Sequence, residues 1–247
     1  LNMQNPSASM LVIGDEILSG RTRDSNMHYL AIELTKVGID LKEVRVVSDS
    51  EAEIVQAVTQ LSEKYGYVFT SGGIGPTHDD ITADAIGLAF NLEVKVCAEA
   101  KEILENHYLN SEVELNEARL RMARTPLGAK LIKNSVSAAP GFNVQNVFVM
   151  AGVPSVFQVM VQSVIKTING GQPVLSRSLN ILSGEGNIAE KLKIFAEDNK
   201  LLAVGSYPFQ KNGKYGTNIV IRGKNNKSLD KAFDKLLELF SGMIDEP

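Results

Sequence analysis

The strongest constraint on the fold is an alternation of strand and helix patterns that occurs three times in the first part of the chain. Short apolar runs beginning at Ser9, Leu41 and Tyr65 are each followed by a polar or glycine-rich turn. After every turn, apolar side chains recur three or four positions apart. This order predicts parallel strands joined by right-handed helical crossovers, and hence an α/β fold.

The pattern of strand, turn and helix occurs once more before a linker and changes beyond it. The segment "NVFVMAGVPSVFQVMVQSVI" repeats the order of strand, turn and helix, whereas "INGGQP" at 168–173 is typical of a linker. Beyond it the patterns follow the order β-α-β-β-α, which predicts a small α+β unit. We therefore expect two domains, 9–168 and 174–245, and a frayed leader before Ser9.

Composition argues against several classes of function. The 25 basic and 29 acidic residues give a net charge of −4, whereas a constitutive nucleic-acid coat shows a basic excess. The single cysteine, Cys97, cannot form an internal disulfide or a multi-cysteine zinc site, which indicates a reducing, cytoplasmic compartment. No apolar run approaches the ~20 residues of a membrane span, and the start lacks a signal-peptide pattern. We expect neither a membrane nor a nucleic acid as partner.

Three turns fall at equivalent positions, directly after a predicted strand. They contain "GDE" at 14–16, "SD" at 48–49 and "SGGIGPT" at 71–77. Because ligands of parallel sheets collect beyond the carboxyl ends of the strands, we expect these turns on one rim, around a binding site.

The "SGGIGPT" turn has the composition of a phosphate-binding loop. Gly72, Gly73 and Gly75 allow the backbone to approach an anion, and successive N–H groups before a helix form a positive cradle. The two commonest nucleotide fingerprints are not matched, since no lysine follows and His78 stands where a third glycine belongs. The alternative is a plain glycine turn whose T-x-x-D sequence, from Thr77 to Asp80, caps the next helix.

Acidic residues on the same rim indicate a cation. Asp79 and Asp80 are adjacent, and two neighbouring carboxylates repel each other unless something cationic shares the space. A divalent metal would satisfy both them and a pyrophosphate held by the glycines, and Asp49 adds a further carboxylate to the rim. These residues predict a divalent metal, Mg or Co, bound by Asp79, Asp80 and Glu16. The alternative is that Asp80 caps the helix while Asp79 faces water.

Two further motifs carry weaker signals. "MAGVPS" at 150–155 follows another strand, so Gly152, Pro154 and Ser155 are candidates for a second wall of the pocket. A lone serine in this position is also typical of a helix N-cap. "GKYG" at 213–216 matches the G-x-x-G of RNA-binding KH domains, but here it falls between two predicted strands, which favours a hairpin turn.

The motifs "GDEILSG", "DSN", "SDS", "SGGIGPTHDDIT" and "AGVPS", in this order and spacing, resemble those of the MoaB/Mog molybdopterin-binding fold. The chain is similar in particular to CinA-type (competence/damage-inducible) proteins and to the N-terminal half of eukaryotic FAD synthases. The resemblance covers residues 9–168, and "GSYPF" with "YGTNIVIRG" resembles the small domain of those relatives. It implies a three-layer sandwich with a mostly parallel sheet, then a small α+β domain, and a homo-oligomer, either dimer or trimer.

The resemblance also implies roles for individual residues. Asp49 and Asp80 match the family's two signature acidic positions and are expected to be catalytic. In Mog-type members these positions serve adenylylation of molybdopterin or insertion of molybdate. CinA-type and FAD-synthase-type domains are associated instead with metal-dependent cleavage of nucleotide pyrophosphates such as ADP-ribose or FAD. The implied function is therefore a metal-dependent nucleotide pyrophosphatase, a hydrolase. The positions expected to contact its ligand are Gly14, Gly72, Gly73, Gly75, Thr77, Gly152, Pro154 and Ser155.

Two departures from the family pattern keep a second function open. The family's P-G-x-P-x-E reads "AGVPSV" here, so Ala151 and Val156 replace the proline and the acid, and the usual "GTE" reads "GDE". The loss of a carboxylate from the rim argues against hydrolysis. The alternatives are a non-catalytic molybdopterin- or nucleotide-binding module and a molybdenum cofactor biosynthesis protein. Each would take a small pterin or dinucleotide as ligand.

Overall fold

The computed structural model describes residues 5–109, 111–211 and 213–245 of the chain. It divides into two compact units, Leu1–Gly171 and Gln172–Pro247, each with its own apolar core. The ordered chain begins before Ser9, because the first strand starts at Ser7 and Asn5 is buried. The predicted leader is therefore wrong for residues 5–8, and residues 1–4 lie outside the described part. No helix in the described ranges combines the length and apolar composition of a bilayer span.

Strands and helices alternate through most of the first unit. Its strands are β1 (Ser7–Ile13), β2 (Asp40–Val47), β3 (Tyr67–Ser71), β4 (Val94–Val96), β5 (Arg124–Pro126), β6 (Lys130–Ile132), β7 (Gly141–Val144) and β8 (Val147–Met150). Its helices are α1 (Asp15–Leu18), α2 (Asn26–Lys36), α3 (Glu51–Lys64), α4 (Thr82–Ala89), α5 (Ala98–Leu109), α6 (Glu117–Leu120) and α7 (Pro154–Ile165). A 3-10 segment, Arg121–Ala123, follows α6.

Six of these strands form one mostly parallel sheet, in the order β2-β1-β3-β8-β7-β6. The first four are parallel to one another, whereas β7 pairs antiparallel with β8 and β6 antiparallel with β7. The predicted α/β architecture is confirmed. All four parallel strands end at the same edge, so the turns that follow them converge.

Side chains of the central strands alternate between two helical layers, as the two-residue period of a strand requires. Met10, Val12 and Phe69 pack in the cluster that contains residues of α2 and α7. Leu11 and Val68 pack in the second cluster, with residues of α3 and α4. A parallel sheet covered on both faces is the three-layer sandwich that the family resemblance implied.

The helix after the glycine loop begins later than the sequence indicates. The spacing of Ile81, Ala85, Leu88 and Ala89 predicts that all four face inward, yet α4 starts at Thr82 and the Leu88 side chain is 59% exposed. The described inward face instead consists of Thr82, Ala85, Ile86 and Gly87. The expectation for Leu88 is therefore wrong.

The second unit is a three-stranded antiparallel sheet covered by two helices. Its elements are β9 (Leu175–Ile181), α8 (Glu185–Asp198), β10 (Ala203–Lys211), β11 (Lys214–Gly223) and α9 (Asn226–Leu239), followed by a 3-10 segment at Ser241–Met243. The sheet order is β10-β11-β9. The predicted order β-α-β-β-α is confirmed. Lys211 pairs with Lys214 at the end of the β10–β11 hairpin, so "GKYG" lies at a strand turn rather than between helices.

An ion-pair network fastens β2 to the end of α3 in the first unit. The Glu43 carboxylate accepts hydrogen bonds from Lys64 Nζ at 2.8 Å, Tyr65 Oη at 2.6 Å and Arg45 Nε at 2.7 Å. These three donors, with Lys64 the strongest, lower the pKa of Glu43 from 4.5 to about 2. A lowered folded-state pKa stabilises the fold above the unfolded-state value, and this stabilisation is lost as the pH falls towards the folded-state value.

We expect Glu43→Gln to lower the midpoint of thermal unfolding at pH 7, and the difference from wild type to shrink progressively between pH 4.5 and pH 2. The network side chains are solvent-accessible, so the effect should be modest and should weaken at high salt. Melting curves across this pH range test it, with the exposed Glu63→Gln of the same helix as control. A difference that does not change with pH would contradict this assignment.

Candidate functional site

The turns after β1, β2, β3 and β8 surround a cleft of about 570 Å³ at the carboxyl edge of the sheet. Such edges are where open parallel sheets bind ligands. Nine of the residues predicted for the site line this cleft: Glu16, Asp49, Gly72, Gly73, Gly75, Asp79, Asp80, Gly152 and Pro154. The convergence predicted from the order of strands and turns therefore exists in the structure.

The first two loop glycines are required by close backbone packing. Gly72 has φ of +114°, and a Cβ atom there would lie 2.2 Å from the carbonyl oxygen of Ile13. Gly73 has φ of +69°, and its Cβ atom would lie 2.1 Å from Thr82 Oγ1. Both positions favour the left-handed region that only glycine adopts without strain. The Thr82 hydroxyl donates to the Gly72 carbonyl at 3.1 Å, so the loop is fixed against the start of α4.

Asp80 closes a turn of its own rather than capping the helix. Its Oδ2 accepts hydrogen bonds from the backbone N–H of Thr77 at 2.8 Å and from the Thr77 hydroxyl at 2.6 Å. The residue before α4 is Ile81, which makes no side-chain capping bond. The T-x-x-D pairing predicted as the alternative is present, but it orders the loop and not the helix. Thr77 thus contacts Asp80 and is not part of the described cleft lining.

The third loop glycine makes room for that carboxylate. A Cβ atom on Gly75 would lie 2.6 Å from Asp80 Oδ2. We expect Gly75→Ala to displace the Asp80 carboxylate. If Asp80 has the catalytic role that the family resemblance implies, turnover should fall roughly tenfold to a hundredfold, because misplacing a catalytic group by about 1 Å has effects of that size. The unfolding midpoint should change little, since Asp80 is exposed enough to move. Kinetics and melting curves test this, and wild-type turnover in Gly75→Ala would contradict it.

Asp49 connects the first two turns, and Glu16 packs within the first of them. Asp49 Oδ2 accepts a hydrogen bond from the backbone N–H of Asp15 at 2.9 Å. The Glu16 carboxylate folds back over Gly14, where a Cβ atom would lie 2.5 Å from its Oε2. Gly14 therefore lies behind the site, supporting Glu16, and is not among the described cleft-lining residues.

Asp79 is an exposed acid of the site. Its side chain is 60% exposed and lines the cleft. Its neighbour His78 is fully exposed, with Nδ1 3.9 Å from Asp79 Oδ1, and is not in the described cleft lining. The carboxylate therefore faces the cleft mouth as a negative charge.

The carboxylates do not form a preformed metal centre. Within residues 5–109, 111–211 and 213–245, no three histidine, cysteine, aspartate or glutamate side chains come close enough together to hold an ion. Asp79, Asp80 and Glu16, the predicted ligands, share the cleft without converging, and Asp80 Oδ2 is already occupied by Thr77. These residues do not fit a resident metal ion in this arrangement.

The second wall is formed by the turn between β8 and α7. A Cβ atom on Gly152 would lie 3.4 Å from the Gly72 Cα, so the two glycine turns are in contact. Pro154 occupies the first turn of α7, where its missing N–H is not needed. Ser155 is exposed, makes no capping bond and is not among the described residues that line the cleft. Its alternative role as N-cap is wrong, because Val153 occupies that position, and its contact with ligand stays a prediction.

Asn26, which was not among the residues predicted for the site, lies beside the two glycine turns. Its side-chain amide donates to Ser71 Oγ and to the Gly152 carbonyl, both at 2.8 Å, and it is only 3% exposed. It therefore joins the end of β3 to the second wall. Asn26 is part of the "DSN" motif, which was the available signal.

Arg121 was missed as well, and it lies behind the glycine loop. Its guanidinium donates to the Asp80 carbonyl at 3.3 Å. The nearby Arg124 is committed to a bidentate pair with Asp84, at 2.6 and 3.0 Å. No local motif marks Arg121, because the contact spans two separate segments of the chain.

Comparison with known proteins agrees with this geometry. A family model described as a probable molybdopterin binding domain matches residues 9–175, and one described as the middle domain of FAD synthase matches residues 173–246. A probable FAD synthase of Caenorhabditis elegans is 30% identical over 98% of this chain and 51% of its own length. A protein of Archaeoglobus fulgidus is 31% identical over 94% of this chain and 97% of its own length.

A solved structure shares the fold of about two thirds of the chain. The protein CinA of Thermoplasma acidophilum, described as having unknown function, superimposes with a TM-score of 0.62 at 30% identity. The match covers 67% of this chain and 99% of that one. The chain belongs to the molybdopterin-binding domain family, as its motifs indicated. It spans about half the length of the nematode FAD synthase that it matches.

Proposed function

We propose that the chain binds a small molecule carrying a diphosphate beside a flat heteroaromatic ring, and hydrolyses the diphosphate. ADP-ribose and FAD are the substrates that best combine the family similarity with the cleft. The observation that carries the proposal is the glycine loop from Gly72 to Gly75, held beside Asp80 and Asp49 in one cleft. Glycines allow the backbone N–H groups of the loop to come close to phosphate oxygens. The neighbouring carboxylates can bind a cation that enters with the phosphates.

We propose further that the divalent cation, Mg or Co, enters as part of the substrate. The described residues that line the cleft include four carboxylates and no lysine, arginine or histidine. A bare diphosphate would be repelled by these acids, whereas a diphosphate with its cation would not. Magnesium is commonly bound by one or two carboxylates together with substrate phosphates, which agrees with the lack of a three-ligand cluster among the described residues.

Hydrolysis then requires positioning more than covalent chemistry. Water adds to one phosphorus atom in line with the bridging oxygen, and the bond between that phosphorus and the bridging oxygen breaks. Two monophosphates are released, and the two protons of the water go to these products or to solvent. In this proposal the glycine loop holds the phosphates and Asp80 orients the water or the cation. Asp49, fixed by the Asp15 N–H, supplies the second carboxylate. A cation that entered with the substrate would neutralise charge on the phosphoryl oxygens.

A specific observation favours a second candidate function. Val156, which stands where the family has an acid, lines the cleft and is buried. With that carboxylate replaced and no preformed three-ligand cluster in the described residues, the cleft also suits a non-catalytic molybdopterin- or nucleotide-binding module. A role in molybdenum cofactor biosynthesis belongs to the same alternative.

The deciding experiment screens ADP-ribose and FAD with Mg²⁺, with Co²⁺ and with a chelator. Monophosphate release that depends on the cation would support the hydrolase. Calorimetric binding without product under every condition would select the binding module instead. Absence of both binding and release across the panel would overturn the proposal. Metal titration without nucleotide is the control, and tight binding of the ion alone would contradict its entry with the substrate.

The oligomeric state and the cellular location stay predictions. A dimer or trimer is expected from the family resemblance, and sedimentation velocity would measure it. A cytoplasmic location is expected from the single, unpaired Cys97.

A further inference from the structure

A third segment faces the cleft besides the two glycine turns. Ser137 and Ala139 line the cleft, and both lie in the loop between β6 and β7. No sequence motif marks this loop, and nothing in the proposed function so far uses it. Its side chains therefore provide contacts beyond the phosphate loop and the acids.

The loop is held in one shape by a buried asparagine. Asn134 Oδ1 accepts hydrogen bonds from the backbone N–H groups of Val136 at 2.9 Å and Ser137 at 3.3 Å. Its Nδ2 donates to Ser137 Oγ at 2.7 Å and to the Ala139 carbonyl at 2.9 Å. Every polar atom of this side chain is thus engaged within the loop. Buried, fully satisfied polar groups of this kind make a surface segment rigid.

The loop also contains a strained residue. Ala138 has φ of +62°, a region that costs a residue with a Cβ atom roughly 1 kcal/mol or more. The strain is located between the two residues that line the cleft. Such conformations persist where the surrounding contacts over-determine them, which the four bonds of Asn134 do.

The hydrogen bonds leave one donor available to a ligand. The Ser137 hydroxyl oxygen accepts from Asn134, so its own proton points to a different partner, and the described residues offer it no acceptor. Ser137 is exposed and lines the cleft. The only other hydroxyl among the described lining residues belongs to Thr22. The cleft lining is rich in carboxylates, which only accept hydrogen bonds. The Ser137 hydroxyl can instead donate a hydrogen bond to an oxygen atom of the ligand.

We infer that Ser137 is a ligand-binding, specificity-determining residue whose hydroxyl donates a hydrogen bond to an oxygen of the ligand, from a phosphate or from a ribose hydroxyl. The inference rests on the proposed function, since it assumes that the ligand occupies this cleft. It assigns the β6–β7 loop as the third wall of the site, with Asn134 as the residue that positions the donor.

The test compares Ser137→Ala with two matched variants. Ser135→Ala removes an exposed hydroxyl from the same loop that does not line the described cleft, and Ser137→Thr retains the hydroxyl. For ADP-ribose with Mg²⁺, we expect Ser137→Ala to raise Kd about tenfold, as for loss of a hydrogen bond to a charged or polar ligand oxygen. Ser135→Ala should bind like wild type, and Ser137→Thr should recover most of the affinity. If turnover is present, KM should rise with little change in kcat.

Two further ligands locate the oxygen. A loss of affinity by Ser137→Ala that is seen with inorganic pyrophosphate as well as ADP-ribose identifies a phosphate oxygen, whereas a loss confined to ADP-ribose identifies a ribose hydroxyl. Equal binding of ADP-ribose by wild type and Ser137→Ala, with equal melting midpoints, would overturn the inference and leave the proposed function standing. Equal losses in Ser137→Ala and Ser137→Thr would assign Ser137 to loop structure and also overturn it. Failure of the wild type to bind any of these ligands would overturn both.

Discussion

Replacing Asp80 by asparagine is expected to lower turnover of a nucleotide diphosphate by at least about a hundredfold. This is the usual loss when a group that positions or accepts protons is neutralised. The expected reason is the loss of negative charge next to the phosphate loop. An amide oxygen can still contact a cation or a water molecule, but it neither balances a divalent charge nor takes a proton.

The fold should survive this change because the two hydrogen bonds from Thr77 to Asp80 do not require a negative charge. Its Oδ2 accepts from the Thr77 N–H and hydroxyl, and an asparagine Oδ1 can accept the same two bonds. We therefore expect the thermal midpoint of Asp80→Asn within a few degrees of wild type. This separation of charge from geometry makes the variant a test of mechanism rather than of folding.

The measurement is cation-dependent monophosphate release by wild type, Asp80→Asn and Asp198→Asn. Asp198 is an exposed acid at the end of α8 in the second unit, so its replacement should leave both activity and stability unchanged. Binding of ADP-ribose by Asp80→Asn should persist at reduced affinity, because the glycine loop is intact. Wild-type turnover in Asp80→Asn would contradict the assignment of Asp80 to the reaction.

The sequence predicted those parts of the site that depend on local patterns of residues. Strand and helix periods placed the turns with Asp49 and Asp80 on one rim, because parallel strands must end at a common edge. Gly38 shows the same logic on a smaller scale. It follows Val37, the residue after α2, where the end of a helix pattern predicts a residue that tolerates positive φ, and its φ is +68°.

The parts that were missed depend on contacts between distant segments. The Asn26 amide meets Ser71 and Gly152, separated from it by 45 and 126 positions, and no periodicity encodes such a contact. The segment from Ser50 to Glu53 matches an S-x-x-E capping box and so predicts a capped start of α3, but a contact within the preceding turn replaces that cap. Glu53 accepts instead from the Ser48 hydroxyl at 2.7 Å, so the glutamate fastens the β2–α3 turn rather than capping α3 at Ser50.

The largest expected loss of stability comes from Gly72→Ala. Gly72 is fixed from two sides, since its N–H donates to the Met150 carbonyl at 3.1 Å and its φ is +114°. A new Cβ atom would lie 2.2 Å from the backbone oxygen of Ile13, at the end of a central strand that cannot shift without disturbing the sheet. The strain of the φ angle and the overpacking together should cost about 4 kcal/mol.

The control separates those two contributions. Gly20 has φ of +74° and open space around its Cβ position, so Gly20→Ala carries the backbone strain alone and should cost about 1 kcal/mol. For a unit of this size, the difference corresponds to an unfolding midpoint roughly 10 °C lower in Gly72→Ala than in Gly20→Ala. Because the displaced loop carries the phosphate cradle, Gly72→Ala should also lose ADP-ribose binding, whereas Gly20→Ala should retain it. Equal midpoints for the two variants would mean that the Gly72 turn can move away from Ile13, and that close backbone packing does not fix the loop.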